Sequence, residues 1–259
     1  MKFKIPGRGE SKTKAPSEQP VKIRAASLSD PGGRAINDDT ACIQQGNQFA
    51  HVYVGDGLGG YAGGRQASQA AGKALMAAGK NSKMLTDAQL HNACVDAELA
   101  VKRLQRITGG NMKTTLVYLA VEKDTARWMH VGDSRLYCFR NGKLHCQTAD
   151  HSVSQMAVLM GEITVDQIRH HEDRNRVLRA LGGESAKPEL SAPLQLGEEK
   201  TAFLLCTDGF WEYVLEPEME QTLQSAASPE EWIRAMEKIL LTRVDGENDN
   251  YTAAAVFYR

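Results

Sequence analysis

The sequence predicts a protein of the α+β class. Four short apolar runs with the character of strands lie within 114–147, and Asp124 and Asn141-Gly142 supply turns between them. Two helical segments come before this region, over 62–78 and from Thr86 onward. The second opens with the capping-box pattern Thr86-Asp-Ala-Gln89 and carries apolar residues at helical spacing. We therefore expect strands and helices to build one mixed fold.

The first strands surround a turn-rich loop. Residues 21–27 alternate in polarity and predict a strand. The loop 30–39 follows and carries an arginine and two adjacent carboxylates. A hairpin is predicted over 40–55, with Gly46-Asn47 as its turn. This hairpin would bring the loop close to Asp56, which comes directly after the hairpin's second strand.

Two strand ends carry the same Asp-Gly pair. The apolar run 52–55 stops at Asp56-Gly57, and the continuous apolar run 202–207, a buried strand, stops at Asp208-Gly209. Ser228-Pro-Glu-Glu231 then predicts the start of a helix. An acidic turn leads into a last apolar strand over 252–257.

The polar segment 151–183 is predicted to be a helical insertion between sheet elements. It contains a second capping box at Thr164 and would act either as an irregular cover or as a lid over a site. Its His170-His171-Glu172 cluster could suggest a metal site. Adjacent residues on a helix do not face one point, so we expect a solvated surface there.

Composition is that of an ordinary globular protein. The chain has 259 residues, of which 42% are hydrophobic and 24% charged. A formal net charge of -1 argues against a nucleic-acid partner. Residues 1–20 are rich in Lys, Ser, Pro and Gly and predict a flexible tail, with a docking peptide as the alternative. The folded domain is therefore expected over 21–259.

Cysteine usage and the lack of apolar runs predict a cytoplasmic protein. The five cysteines form no C-x-x-C pair, which is typical of free thiols in a reducing compartment. The basic N-terminus has no apolar core, so it does not resemble a secretory signal. No apolar run approaches the roughly 18 residues that would cross a bilayer. Cys206 lies inside a predicted buried strand, so we expect it to be a core residue and not a nucleophile.

Carboxylates gather at the predicted strand ends. They are Asp38, Asp39, Asp56, Asp208 and Asp249. A set of oxygen ligands without histidine or thiolate favours Mg²⁺ or Mn²⁺ over Zn²⁺. Converging carboxylates also repel one another, and bound cations would relieve that repulsion. Arg34 adds a guanidinium fork that suits a phosphate, so the pattern points to metal-assisted phosphoryl chemistry.

Six ordered motifs carry a family resemblance. They are Arg34-Ala-Ile-Asn-Asp-Asp39, Asp56-Gly-Leu-Gly-Gly60, Gly132-Asp-Ser-Arg135, His151-Ser152, Thr207-Asp-Gly209 and Asp249-Asn-Tyr-Thr252. Together they resemble the motifs of the metal-dependent protein phosphatases (PPM, type 2C), and more narrowly those of the compact bacterial serine/threonine members. The resemblance covers 21–259. It implies a four-layer α-β-β-α sandwich, in which helices flank two antiparallel sheets and a helical flap follows His151.

The resemblance also implies a metal site. Its ligands would be Asp38, Asp39, Asp56, Gly57, Asp133, Asp208 and Asp249. Asp56 would bridge two Mn²⁺ or Mg²⁺ ions, Asp39 would support a metal-bound water, and Asp133 would hold a third, weaker metal of bacterial members. Arg34 would grip the substrate phosphate. The implied reaction is in-line attack on phosphorus by a hydroxide held between two cations.

The implied substrate is a phosphoserine or phosphothreonine protein. The enzyme would oppose a Ser/Thr kinase and is expected to be a monomer. Overall resemblance to bacterial members of similar length suggests a role in type VI secretion. Two competing functions remain open: a non-catalytic relative that binds phosphoproteins, and a metallohydrolase acting on nucleotides or small phosphate esters. The retained carboxylates argue against the first, and the absence of a Walker-type loop in the sequence argues against the second.

Three positions depart from the family pattern. Leu58 and Tyr61 stand where members often carry histidine, and Lys113 replaces a usual glycine. The loss at Leu58 would leave protonation of the leaving group to water or to another side chain. None of the three changes removes a predicted metal ligand.

Overall fold

The structure is a computed structural model that describes residues 23–60, 63–80 and 86–259. The predicted tail over 1–20 and the departure at Tyr61 lie outside these described residues. Within them, no helix combines the length and apolar character that a membrane span requires.

The strands in the described part of the chain form antiparallel sheets. They are β1 (Ile23–Asp30), β2 (Thr40–Gly46), β3 (Phe49–Gly55), β4 (Gly57–Leu58), β5 (Lys113–Thr114), β6 (Leu116–Glu122), β7 (Thr125–Val131), β8 (Arg135–Arg140), β9 (Lys143–Gln147), β10 (Glu189–Leu190), β11 (Leu194–Gln195), β12 (Thr201–Cys206) and β13 (Tyr251–Tyr258). A five-stranded sheet has the order β1-β13-β12-β8-β9. A six-stranded sheet has the order β10-β7-β6-β3-β2, with β11 also paired to β7, and β4 pairs with β5 separately.

Side-chain caps begin three of the α-helices in the described part of the chain. The α-helices there are α1 (Gly63–Gly79), α2 (Asp87–Thr108), α3 (Val153–Leu159), α4 (Asp208–Trp211), α5 (Glu216–Ser225) and α6 (Pro229–Leu241), with a 3-10 helix over Val165–His170. The predicted capping box at Thr86 is present, and Gly109 ends α2 with a left-handed φ of 69°. The hydroxyl of Ser228 accepts the backbone N–H of Glu231 at the start of α6.

Three apolar layers hold the predicted sandwich together. Phe203 and Leu205 of β12 face the six-stranded sheet and pack in one cluster with Val54. Their neighbour Leu204 faces the other way and packs with Trp232 of α6. A third cluster joins the outer face of the six-stranded sheet to α1 and α2. Alternate side chains of a strand point to opposite faces, so one strand serves two layers. The predicted α-β-β-α architecture is confirmed.

The strand register brings the loops of both sheets to one edge. Thr40, the first residue of β2, pairs with Gly55, the last residue of β3. Cys206 at the end of β12 pairs with Ala253 near the start of β13 and with Arg135 at the start of β8. The segments that precede β2, β8 and β13 therefore meet the segments that follow β3 and β12. These segments carry the predicted site residues.

Local structure differs from the sequence prediction at four points. The hairpin turn lies at Asn47-Gln48, one residue later than predicted, because Gly46 still pairs with Phe49. Thr164 opens a 3-10 helix in place of an α-helix. Asp208-Gly209 begins the short helix α4, where no helix was predicted. The strand predicted over 114–121 is divided at Thr115, because the backbone N–H of Thr115 donates to the carbonyl of Asp56 (2.9 Å) instead of pairing within the sheet.

Candidate active site

Thr115 fixes the backbone of Asp56 from both sides. The Asp56 N–H donates to the Thr115 hydroxyl at 2.8 Å, and the Asp56 carbonyl accepts the Thr115 N–H at 2.9 Å. The same hydroxyl lies 2.7 Å from the hydroxyl of Ser134, the residue after Asp133. A single threonine thus links the loop of Asp56 to the loop of Asp133.

Gly57 lies in a space that no larger residue could share. A Cβ at Gly57 would lie 2.2 Å from the carbonyl oxygen of Gly64 and 2.5 Å from that of Asp38. A Cβ at Gly64 would lie 2.3 Å from the Gly57 oxygen. The two glycines let α1 begin directly against the loop that follows β3.

Asp39 is a buried carboxylate with one satisfied oxygen. The Thr207 hydroxyl donates to its Oδ2 at 2.8 Å and also accepts the Thr252 N–H at 3.0 Å. No hydrogen-bond donor in the described structure reaches its Oδ1. Burial, opposed by the hydroxyl contacts, raises the pKa of Asp39 to about 7.

Asp133 and Asp208 belong to the same group of carboxylates as Asp39, because the charge of Asp208 acts on both of the others. Trp211 donates its indole N–H to the Asp133 carbonyl at 3.0 Å, while Oδ1 of Asp133 is buried and has no partner within the described residues. Burial and the charge of Asp208 hold the pKa of Asp133 well above its usual range. Burial and the charges of Glu212 and Asp249 raise the pKa of Asp208 to about 7. The pKa of Asp56 is also held well above its usual range, first by burial and then by the charges of Asp208 and Asp39.

The raised pKa values and the two unpartnered oxygens fit a cation site. Buried carboxylates that face one another are costly when ionised, and a divalent cation removes that cost. The donor set of carboxylates is the set that Mg²⁺ and Mn²⁺ prefer.

Arg34 and Asp38 occupy the rim of this group. Arg34 binds Asp249 with both arms of its fork, at 3.1 Å for Nε–Oδ1 and 3.1 Å for Nη2–Oδ2. Asp38 is half-buried, and its Oδ1 accepts the backbone N–H of Arg65 at 3.0 Å in the first turn of α1. Oδ1 of Asp38 therefore has a protein partner, which Oδ1 of Asp39 and Oδ1 of Asp133 lack within the described residues.

A small pocket opens beside the carboxylates. Its volume is about 150 Å³, and its lining includes Arg34, Arg174, Asp208, Glu212 and Asp249. Arg174 comes from the segment that follows His151, and its Nε donates to Glu212 at 3.0 Å. The helical insertion therefore contributes to the wall of the pocket, as expected for a lid or cover. The His170-His171-Glu172 cluster takes no part in it.

Sequence reasoning missed Thr207 and Glu212. A signal for Glu212 was present, because Asp208 and Glu212 are four residues apart and share one face if the segment is helical. The sequence prediction placed no helix after Asp208-Gly209, so that spacing was not used. Thr207 stands in the motif Thr207-Asp-Gly209, but nothing local indicates its role, since its contact with Asp39 joins residues that are 168 positions apart.

A buried ion pair supports the loop of Asp133. Arg135 donates to both oxygens of Asp150, at 2.8 and 2.7 Å, and the two side chains are 1% and 2% exposed. The guanidinium also lies 3.5 Å from the centre of the Trp211 ring. Trp211 holds the Asp133 carbonyl, so this stack ties the ion pair to the site.

His130, His151 and Glu189 form a second group of ligand-type atoms, within 4.8 Å of one another. The two imidazole rings are stacked, with centroids 4.6 Å apart and planes 12° apart. The lone pairs of an imidazole lie in its ring plane, so two parallel rings cannot both point at one ion. His151 instead exchanges two hydrogen bonds with Gly132, N–H to oxygen at 2.9 Å and Gly132 N–H to Nδ1 at 3.1 Å. It thereby holds the residue before Asp133.

Two departures from the family pattern face each other. Leu58 and Lys113 are cross-strand partners in the β4–β5 pair. Lys113, which replaces a usual glycine, therefore lies opposite Leu58, the position where family members often carry histidine. Cys206 is fully buried, and burial raises the pKa of its thiol, as expected for a core residue.

The fold and the acidic edge together define a class, the metal-dependent phosphatases. The chain belongs to the protein phosphatase 2C family, because the model of that family matches residues 32–243. The match includes every predicted site residue except Asp249, which lies just beyond it.

Individual relatives agree with this family. The serine/threonine phosphatase stp of Listeria welshimeri is 32% identical over 236 residues, which cover 88% of each chain. The catalytic domain of the serine/threonine phosphatase PstP, solved with two manganese ions, is 28% identical with a TM-score of 0.78, over 92% of this chain and 99% of that one. PppA, described as a regulatory component of the type VI secretion system in Pseudomonas aeruginosa, is 28% identical with a TM-score of 0.76, over 92% and 98%.

Proposed function

We propose that this chain is a metal-dependent protein phosphatase that hydrolyses phosphoserine and phosphothreonine. The observation that supports this most is the group of buried carboxylates beside the pocket, in which Oδ1 of Asp39 and Oδ1 of Asp133 have no partner in the described structure. Family membership and the names of the relatives point to the same reaction.

The cations would be held by the predicted ligand set. Asp56, Asp208 and Asp249, with the Gly57 carbonyl, would form its centre, and Asp133 would serve a third ion. Asp38 and Asp39 would lie at its margin. When bound, a pair of divalent cations would supply Lewis-acid stabilisation of the phosphoryl oxygens and lower the pKa of a water molecule.

Arg34 would bind and orient the substrate phosphate. Its guanidinium carries two donors in a fork that matches two phosphate oxygens, and its side chain is 59% exposed at the rim of the pocket. In the structure the fork is occupied by Asp249, so phosphate binding requires Arg34 to exchange one pair of oxygens for another.

Asp39 would hold or move a proton at Oδ1. Its other oxygen is fixed by Thr207, so Oδ1 is the oxygen left to accept or release a proton. The side chain of Leu58 has no group that could transfer a proton. This arrangement gives the chain a candidate for the proton transfer that the missing histidine would otherwise perform.

We also propose the metal, the origin of the substrate and the cellular setting of the enzyme. We propose Mn²⁺ as the first metal to test, since PstP was solved with two manganese ions. A phosphoprotein made by a cognate Ser/Thr kinase would be the substrate, and the enzyme would act as a cytoplasmic monomer. The likeness to PppA is no greater than that to PstP, so type VI secretion stays one candidate pathway. Residues 21–259 would form the catalytic domain, and 1–20 a tail.

The reaction class can be tested by phosphate release from three substrates: a phosphothreonine peptide, its phosphotyrosine analogue and a mononucleotide. Each is assayed with Mn²⁺ and with EDTA. We expect Mn²⁺-dependent release that is highest for phosphothreonine and absent in EDTA. Preferred release from the nucleotide would contradict the assignment to proteins. Binding of the phosphopeptide without release would favour the non-catalytic relative.

A further inference from the structure

Cys138 and Cys146 are direct neighbours across two antiparallel strands. The register of β8 and β9 pairs Cys138 with Cys146, and both side chains belong to the side of the sheet that packs in the core between the two sheets. The other three cysteines have no such partner: Cys42 pairs with Tyr53, Cys206 pairs with Ala253 and Arg135, and Cys94 lies on helix α2.

The backbone geometry suits a disulfide bond. Opposed residues of an antiparallel pair have Cα atoms about 4.5 or 5.5 Å apart, and disulfides span Cα separations of about 4.4–6.8 Å. The register shifts immediately after this pair, between Cys138 and Phe139. A bulge of this kind gives the backbone local freedom to adjust the distance between the two Cβ atoms.

The two thiols differ in exposure and in acidity. Cys138 is fully buried, whereas Cys146 is half-buried on β9, the edge strand of its sheet. The hydrogen bond between the two thiols, helped by the charge of Arg140, lowers the pKa of Cys146 to about 7. The same hydrogen bond, together with burial, raises the pKa of Cys138. Cys146 is therefore the thiol that can meet an oxidant as a thiolate.

We propose that Cys138 and Cys146 form a reversible disulfide when the protein encounters a peroxide. The Cys146 thiolate attacks one peroxide oxygen; an S–O bond forms, the O–O bond breaks, and the departing hydroxide takes a proton to become water. The Cys138 thiol then attacks the Cys146 sulfur. The S–S bond forms, the S–O bond breaks, and the leaving hydroxide carries off the Cys138 proton as a second water.

The balance is closed: two thiols are oxidised and one peroxide is reduced to two waters. A small thiol reductant reverses the step by two successive exchanges at the disulfide. Disulfides of this reversible kind are those found in reducing compartments.

The test uses the full chain, reduced and then treated with hydrogen peroxide, blocked with an alkylating agent and digested without reduction. Cleavage at Arg135, Arg140 and Lys143 places Cys138 and Cys146 in different tryptic peptides, so a bond between them joins two fragments. We expect the joined fragments in the wild type and in Cys42→Ser, and their disappearance after dithiothreitol. Cys138→Ser, which keeps a hydroxyl group opposite Cys146 but cannot form the disulfide, is expected to accumulate a sulfenic acid at Cys146 that dimedone captures.

A second measurement does not depend on any variant folding. Iodoacetamide at pH 7 is expected to alkylate Cys146 of the reduced wild type about tenfold faster than Cys42, whose pKa burial raises. The proposal is overturned if peroxide joins other cysteines, if Cys146 proceeds to sulfinic acid without a joined fragment, or if Cys42 reacts as fast as Cys146.

Discussion

Arg34 and Asp249 are joined by a two-pronged ion pair across 215 positions of sequence, with both N–O distances at 3.1 Å. The two residues have different predicted roles: Arg34 binds the substrate phosphate, and Asp249 is a ligand of a cation. The pair is more than half exposed on both sides, so it contributes at most about 1 kcal/mol and can be exchanged at low cost. Arg34 thus shields Asp249 while no stronger partner is present.

Removing Arg34 is expected to change metal binding and turnover in opposite directions. In Arg34→Gln, Asp249 loses a competing cation, so Mn²⁺ should bind a few-fold more tightly by calorimetry. The phosphate loses its fork, so kcat/KM for a phosphothreonine peptide should fall by about 100-fold. Arg24→Gln, which removes an exposed arginine paired at 3.9 Å with Glu230, is the control. Weaker Mn²⁺ binding in Arg34→Gln would contradict this account of the pair.

The metal-free protein is expected to lose stability as the pH rises through neutrality. Asp39 and Asp208 have pKa values raised from 3.8 to about 7, so the folded state favours their protonated forms. Their stabilising contribution is complete below about pH 4 and is lost as the pH rises to 7, at about 1.4 kcal/mol per pH unit for each group that titrates. In EDTA the melting temperature should fall by about 5 °C or more between pH 5 and pH 7.5. Mn²⁺ should abolish this fall. A melting temperature in EDTA that rises between pH 5 and pH 7.5 would contradict the prediction.

We expect the hydroxyl group of Thr207 to contribute more to the free energy of unfolding than the shape of its side chain does. Thr207→Val leaves the Thr252 N–H and one oxygen of Asp39 without their partner, in a buried place. Unfolding in urea should show a loss of about 1–3 kcal/mol. Thr207→Ser keeps the hydroxyl and should lose less. Equal losses in the two variants would show that packing, and not the hydrogen bond, is responsible.

Breaking the buried pair of Arg135 and Asp150 is expected to be costly. Arg135→Met leaves a carboxylate that is 2% exposed without its cation, for which we expect a loss of about 3–5 kcal/mol. The matched change is Lys143→Met, whose partner Glu220 lies 2.7 Å away at the surface, with an expected loss below about 1 kcal/mol. Urea unfolding curves of both variants measure the difference. Similar losses would contradict the importance of burial.

Much of the fold was predictable because its signals are local. The hairpin over 40–55, the capping box at Thr86, the N-cap at Ser228 and the apolar run that became β12 depend on neighbouring residues alone. The order of strands in the two sheets does not. It is set by contacts between distant segments, and the motif resemblance, not periodicity, supplied the sandwich.

The sequence predicts which carboxylates gather at one edge of the sheets, but it does not predict their contacts. The carboxylates at the strand ends can be recognised from the sequence alone, because they follow or precede apolar runs. Their partners cannot: Thr207 meets Asp39, and Trp211 meets the Asp133 carbonyl, only after the strands have paired. The ion pair of Arg34 with Asp249 could not be foreseen either, since each residue alone suggested another partner.

The most direct test is the Mn²⁺-dependent release of phosphate from a phosphothreonine peptide by Asp56→Asn, with Asp96→Asn, an exposed position on α2, as control. Asp56 lies in the centre of the carboxylate group, and its charge interacts with those of Asp39, Asp133, Asp208 and Asp249. Asp56→Asn should retain its fold but lose turnover by about 1,000-fold or more, while Asp96→Asn keeps the wild-type rate. Turnover within a few-fold of wild type in Asp56→Asn would contradict the assignment of this carboxylate group as the active site.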